Sequence, residues 1–137
     1  VMKYFAKLDS NNVVINVIQC DDDATEASMD SLLGPTHKET WEDGSQRQRY
    51  AQIDGTYDSA KDVFINVKTF PSWTLDSNNE WQAPVAFPSS TAYGDTDVFP
   101  IEWDESNQRW YGTSRVDENG NSTALIWNAD TSTWVTA

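Results

Sequence analysis

The sequence predicts a mainly β chain with a minor α component: an N-terminal β-hairpin and one helix, followed by an array of aromatic-anchored β-hairpins. Six of the seven tryptophans stand in three spaced pairs, Trp73 and Trp81, Trp103 and Trp110, and Trp127 and Trp134. Between the members of each pair runs a polar segment, TLDSNNE, DESNQR or NADTST. Asp, Asn and Ser tolerate left-handed backbone and hydrogen-bond their own main chain. A large aromatic, a polar run opening near Asp or Asn, and a second aromatic therefore read as a hairpin. The two rings are expected on one side of the ribbon, where an aromatic pair adds roughly 0.5–1 kcal/mol beyond area burial.

The same grammar recurs with weaker anchors. Tyr57 and Phe64, flanking Asp58, repeat the spacing of Trp103 and Trp110, and the run Leu8 to Ile15 places aliphatics where later copies place rings. Degenerate hairpins in one small chain suggest internal duplication, at spacings too irregular for a solenoid.

Taken in order, residues 3–8 and 13–19 form the first hairpin, and the second strand, nearly continuous in β-branched residues, is expected to be central. After Asp21, Asp22 and Asp23, a helix is expected, capped by Asp23 or Thr25, with Ala27, Met29, Leu32 and Leu33 on one stripe and Gly34-Pro35 as its stop. Residues 38–42 and 46–53 read as two short strands around Asp43-Gly44. Gly55 introduces the aromatic array, so the chain is expected to divide into a hairpin and helix subdomain over 1–55 and a Trp-rich hairpin array over 56–137. Proline favours turns and edge strands, so the segments around Pro71, Pro84, Pro88 and Pro100 read as extended connectors, and 88–97 as a loop. The last four residues read as a strand. Val1 ahead of Met2 reads as a cloning remnant or an alternative start codon translated literally.

Composition narrows the function. Seventeen aromatics (seven Trp, five Tyr, five Phe) can supply much of a core, since each buries about 150–250 Å². Nine basic residues against twenty-two acidic ones give a net charge of -13, with five against ten before Thr56 and four against twelve from it onward. Such a surface repels phosphate backbones and anionic lipid, which argues against nucleic acid and membrane as partners. No apolar run is long enough to span a bilayer, and no signal peptide is recognisable. Cys20 is the only cysteine; with no basic neighbour in sequence to lower its pKa it reads as an inert, buried thiol.

At this point the residues carry a resemblance. The blocks YFAKLDSNNVVINVIQCDDD, RQRYAQIDGTYDSAKDVFI, FPSWTLDSNNEWQAPVAFPSS, IEWDESNQRWY and WNADTSTW resemble small virion-associated proteins of marine tailed phages, especially cyanophages. The likeness covers nearly the whole chain, and the block from Pro71 to Pro88 is its most specific part. Two departures stand out. Where that family carries a stiff, proline-rich run before PSW, this chain has INVKTFP, and it extends through VDENGNSTALIWNADTSTWVTA, read as an additional hairpin. The resemblance implies a structural or accessory part of a virus particle, at the tail or its fibres, made in the host cytoplasm and located in the virion. Its partners would be other virion proteins and copies of itself. It carries no catalytic residues and no cofactor to this chain.

Residues that invite sharper readings have plainer alternatives. Exposed indoles stack on sugar faces, so Trp73, Trp81, Trp103, Trp110, Trp127 and Trp134 are candidate platforms for a host glycan; their placement at hairpin positions argues instead for packing. Asp117, Asn119 and Asn121 resemble the start of a calcium loop, but Ser122 stands where glycine is needed and Asn128 where glutamate is, so an Asn-Gly turn is the simpler reading. Asp21 to Asp23 sit where they would compensate a helix N-terminus, and any metal held there or by Asp95 and Asp97 would be incidental. His37, the only histidine, reads as a surface loop residue. No GxSxG, glycine-rich phosphate loop or CxxC is present, and paired carboxylates are too numerous to point to a glycosidase. The expectation is a non-enzymatic structural protein, with a glycan-binding adhesion module as the alternative and a host-directed early protein as a third reading.

Overall fold

The computed structural model describes residues 2–137; Val1 lies outside them. The chain is mainly β with a single helix among the described residues, as the sequence predicts. It forms two compact units, Val1–Lys68 and Thr69–Ala137.

The first unit opens with strands β1 (Lys3–Leu8) and β2 (Val14–Cys20), then helix α1 (Glu26–Leu33) and strand β3 (His37–Thr40), in an antiparallel sheet of order β2-β1-β3. The expected central place of β2 is corrected: β1 is central. Consecutive residues Phe5 and Ala6 are both fully buried, which requires cover on both faces of β1, whereas only Val14 of β2 is buried. A β-branched run fits an edge and a centre equally well. Helix α1 begins at Thr25, whose side chain accepts from the Ser28 amide while Ser28 returns a bond to the Thr25 amide, and it ends at Gly34 with φ 82. Of the expected apolar stripe only Met29 is buried; Leu32 is 78% exposed and Leu33 52%.

The helix is fixed to the sheet by carboxylates. Glu26 Oε2 accepts the Glu39 amide at 2.7 Å, and Asp30 Oδ1 accepts the His37 amide at 2.6 Å. These two acids, one helical turn apart, cover the outer donors of β3. The expected strand over 46–53 does not form. Arg47 and Gln48 adopt φ 53 and 70, which interrupts an extended chain, because Arg47 turns inward to ion-pair with Glu26 at 2.7 Å and Asp62 at 2.8 Å.

Strands β4 (Thr56–Asp58) and β5 (Val63–Ile65) make the next hairpin. Its Tyr57 and Phe64 join Ala6, Leu8, Val14 and Ala51 in one core. The division of the chain therefore falls after Lys68, beyond the expected 55/56: this aromatic hairpin completes the N-terminal core.

The second unit contains a small hairpin, β6 (Thr74–Leu75) with β7 (Trp81–Gln82), and a five-stranded antiparallel sheet of order β12-β11-β10-β9-β8. The strands are β8 (Ala92–Tyr93), β9 (Thr96–Asp104), β10 (Arg109–Ser114), β11 (Ala124–Asn128) and β12 (Thr133–Thr136). The sheet curls toward a barrel: Trp134 on β12 donates its indole N–H to the Ser90 carbonyl just before β8, at 2.8 Å. Two expectations change here. The segment around Pro100 is part of β9, where a register shift opposite Gly112 and Ser114 accommodates the missing amide. A Cβ on Gly112 would meet Val98 Cγ1 at 2.5 Å and the Pro100 carbonyl at 2.8 Å, so only glycine fits there. Residues 92–97, expected within a loop, form the tight β8 to β9 hairpin.

The hairpin turns fall into two geometries. Asp9, Asp76 and Asp117 each accept two backbone amides on Oδ1, from residues two and four ahead. The third residue after each has positive φ: Asn12 60, Asn79 61 and Gly120 82. Asp58, Asp104 and Asn128 open turns one residue longer, with the positive φ at Asp62 (56), Gln108 (50) and Ser132 (53). The shorter turn sets Leu8 against Val14 and Leu75 against Trp81; the longer sets Tyr57 against Phe64, Trp103 against Trp110 and Trp127 against Trp134.

Candidate functional site

The aromatic cluster of the second unit is the most distinctive assembly of side chains. Strand alternation aims Trp103 and Trp110 to the same face of the β9–β10 ribbon, where their rings meet edge to face with centroids 5.0 Å apart. Trp127 and Trp134 repeat the arrangement on β11 and β12 at 5.3 Å. All four are between 5% and 7% exposed and share a core with Val98 and Leu125. Three of the four indole N–H groups are bonded, that of Trp134 to the Ser90 carbonyl. Trp103 Nε1 donates to Glu105 Oε1 and Trp110 Nε1 to the Val85 carbonyl, both at 2.8 Å. Buried indoles with bonded N–H groups are packing elements.

The third expected pair does not exist as a pair. Trp81 lies opposite Leu75, because the turn led by Asp76 is of the shorter kind and closes before it reaches Trp73. Trp73 instead leaves the hairpin and packs against both Trp103 and Trp110, with centroids at 6.2 and 6.0 Å. Phe70 stacks on it at 5.4 Å. Trp73 and Trp81 are both half-buried. The buried Trp73 Nε1 has no hydrogen-bond partner.

Several contributing residues carry no signal in their own identity. Glu105 gathers the Ser72 amide at 3.0 Å, the Ser72 hydroxyl at 2.6 Å and the Trp103 indole, joining residues 33 apart in sequence. Phe87 is 60% exposed yet stands edge-on to Trp110 at 5.0 Å. Glu102 and Tyr111 pair across β9 and β10, the phenol donating to Glu102 Oε2 at 2.6 Å, and this bond raises the Tyr111 pKa. Phe70, Trp73, Glu102 and Tyr111 border a shallow depression of about 440 Å³.

His37 corrects an expectation outright. It lies on β3 at 1% exposure, with Nδ1 2.8 Å from Asp30 Oδ1. The Gly-Pro stop ahead of it suggests a loop, but the chain enters β3 at once, and Asp30 anchors the ring and its amide together. Cys20 ends β2 half-buried, with Sγ 3.5 Å from Met29 Sδ; burial, with the neighbouring Asp21, raises its pKa and keeps it a thiol. Asp117 closes its turn by accepting the Asn119 and Asn121 amides at 2.9 Å. Among the described residues no three His, Cys, Asp or Glu side chains converge, and no helix is long and apolar enough to cross a membrane.

Compared with known protein families, curated proteins and solved structures, the chain matches none.

Proposed function

We propose that this chain is a non-enzymatic structural component of a phage particle, associated with the tail or its fibres and joining other virion proteins. The observation that carries the structural half of this reading is the inward placement of the aromatic pairs: Trp103, Trp110, Trp127 and Trp134 are at most 7% exposed. Rings so placed hold hairpins together and expose little surface to a ligand. The turn-opening carboxylates are likewise engaged, Asp9, Asp58, Asp76 and Asp117 each holding two backbone amides. The particle half rests on the resemblance of the block from Pro71 to Pro88 and its neighbours to virion-associated proteins of marine phages. Mass spectrometry of purified particles of the encoding phage tests it. Peptides of this chain at a copy number comparable to known structural proteins are expected; peptides confined to the infected-cell lysate would overturn the reading in favour of a host-directed protein.

A glycan-binding adhesion module is the second reading, favoured by one observation. The depression bordered by Phe70, Trp73, Glu102 and Tyr111 combines ring surface with a carboxylate, a combination suited to a sugar. A tryptophan fluorescence shift with host cell-surface polysaccharide, abolished by Trp73→Ala, would move the conclusion to adhesion.

A further inference from the structure

We infer that β2 is a self-association edge, through which two copies of this chain pair antiparallel about a two-fold axis to form one continuous sheet. The three-stranded sheet has two edges, and they are treated differently. On β3 the amides of His37 and Glu39 are held by Asp30 and Glu26 of the helix. On β2 only the beginning is covered: the Val14 amide donates to the Gly55 carbonyl, and the Val14 carbonyl accepts the Asp54 amide, both at 2.8 Å. From Ile15 to Gln19 no other strand lies along the outer side of β2 among the described residues, and Ile15, Asn16 and Gln19 are exposed.

The chemistry of this segment departs from that of a protected edge. Natural edges are blunted by lysine, proline, charge, shortness or a bulge, and of these β2 carries only a bulge, at Ile15, where its register against β1 shifts. Val14–Cys20 spans 7 residues, VINVIQC, with no proline and no charged side chain. In a chain of net charge -13, a neutral strand is where a second copy approaches with least like-charge repulsion. Exposed apolar side chains flank it: Ile15 is 51% exposed, Leu32 78% and Met2 45%, and the last two border a depression of about 690 Å³ with Gln19 and Cys20 at the end of the strand.

Backbone polarity fixes the register. The Val17 amide bonds the Asn16 side chain at 2.9 Å, so it points away from β1 and outward. With Val14 engaged on one side and Asp21 following on the other, the open segment centres on Val17. Placing Val17 on the two-fold lets the two copies exchange both N–H···O bonds at that residue, the partner carbonyl replacing the Asn16 oxygen, and sets Ile15 opposite Gln19 twice. An edge paired with itself in this way is self-complementary and closes as a dimer.

The inference rests on the assembly reading only in naming one partner, and its test uses the purified chain, so its failure leaves the particle assignment standing. Sedimentation equilibrium of the full chain is expected to give twice the 15.5 kDa monomer mass, with the Val17 and Gln19 amides slow to exchange. The double variant Ile15→Lys, Gln19→Lys places lysines opposite one another across the axis at exposed positions; a monomer with unchanged circular dichroism is expected, with the Gln19 amide in fast exchange. A monomeric parent chain at about 100 μM, an affinity weaker than roughly 5.5 kcal/mol, would overturn the inference. So would a dimer that the double variant leaves intact.

Discussion

At the scale of single residues the chain separates rings that carry stability from rings that merely adjoin them. Trp110 is 7% exposed and touches Trp73, Trp103 and Phe87. Trp110→Ala is expected to cost about 3–5 kcal/mol in denaturant unfolding, and Phe87→Ala, which removes a 60% exposed ring, under about 1 kcal/mol. Ser132 sits exposed with φ 53 at the turn between Trp127 and Trp134. A side chain there resists left-handed backbone by roughly 1–2 kcal/mol that glycine escapes, so Ser132→Gly is expected to raise the melting temperature and Ser132→Val to lower it. Residue identity foretold the partners of Trp103 and Trp127 but not the burial of His37, since a polar ring reads as surface until its carboxylate, seven positions upstream in a helix, is known to face it.

Hairpins are the elements in which sequence and structure agree most closely, and turn chemistry explains where they diverge. An Asp or Asn directly after the first ring and a second ring six positions further on specify the longer turn, which sets Trp103 on Trp110 and Trp127 on Trp134. Around Trp73 the Asp comes two residues late, at position 76, and the pairing shifts with it to Leu75 and Trp81. The polar turn therefore decides register, and the aromatic spacing follows it.

The same carboxylates make the fold sensitive to acid. The Glu80 amide holds the Asp76 pKa below its ordinary value, and the Asn107 side chain does so for Asp104. Burial works against the charge on Glu26, but Arg47, the Glu39 amide and Lys38 outweigh it and lower its pKa. A carboxyl whose pKa is depressed by folding is protonated first in the unfolded chain as pH falls. Its contribution is complete above the unfolded value of about 4 and is lost as pH drops through the folded one. Melting temperature is expected to be steady down to about pH 5 and to fall below about pH 4. In the same range the Asn78 and Glu80 amides are expected to lose exchange protection before those of Asp130 and Thr131, whose acceptor is the non-titrating Asn128. At the alkaline end burial and the Asp62 bond push Tyr57 from 10.0 up to about 12. Here the folded chain keeps the proton that the unfolded chain has lost, so stability is complete below the lower value and falls as pH rises through the higher.

For the whole molecule the mainly β class, the single helix and the inward rings follow from periodicity and turn residues. The identity of the central strand, the end of the first unit and the curl of the second sheet depend instead on long-range pairings. Tyr57 and Phe64 belong with Leu8 and Val14, and no local pattern marks that hairpin as part of the earlier core. The two edges of the first sheet, one latched by Glu26 and Asp30 and one open, are likewise a tertiary fact. The central claim is that the tryptophans build the interior instead of presenting a surface to a ligand. Acrylamide quenching of the intrinsic fluorescence of the native chain tests it most directly. The account predicts a majority of emission shielded from quencher, from the four tryptophans at 5–7% exposure, becoming fully accessible only on unfolding; ready quenching of most of the emission in the native state would contradict it.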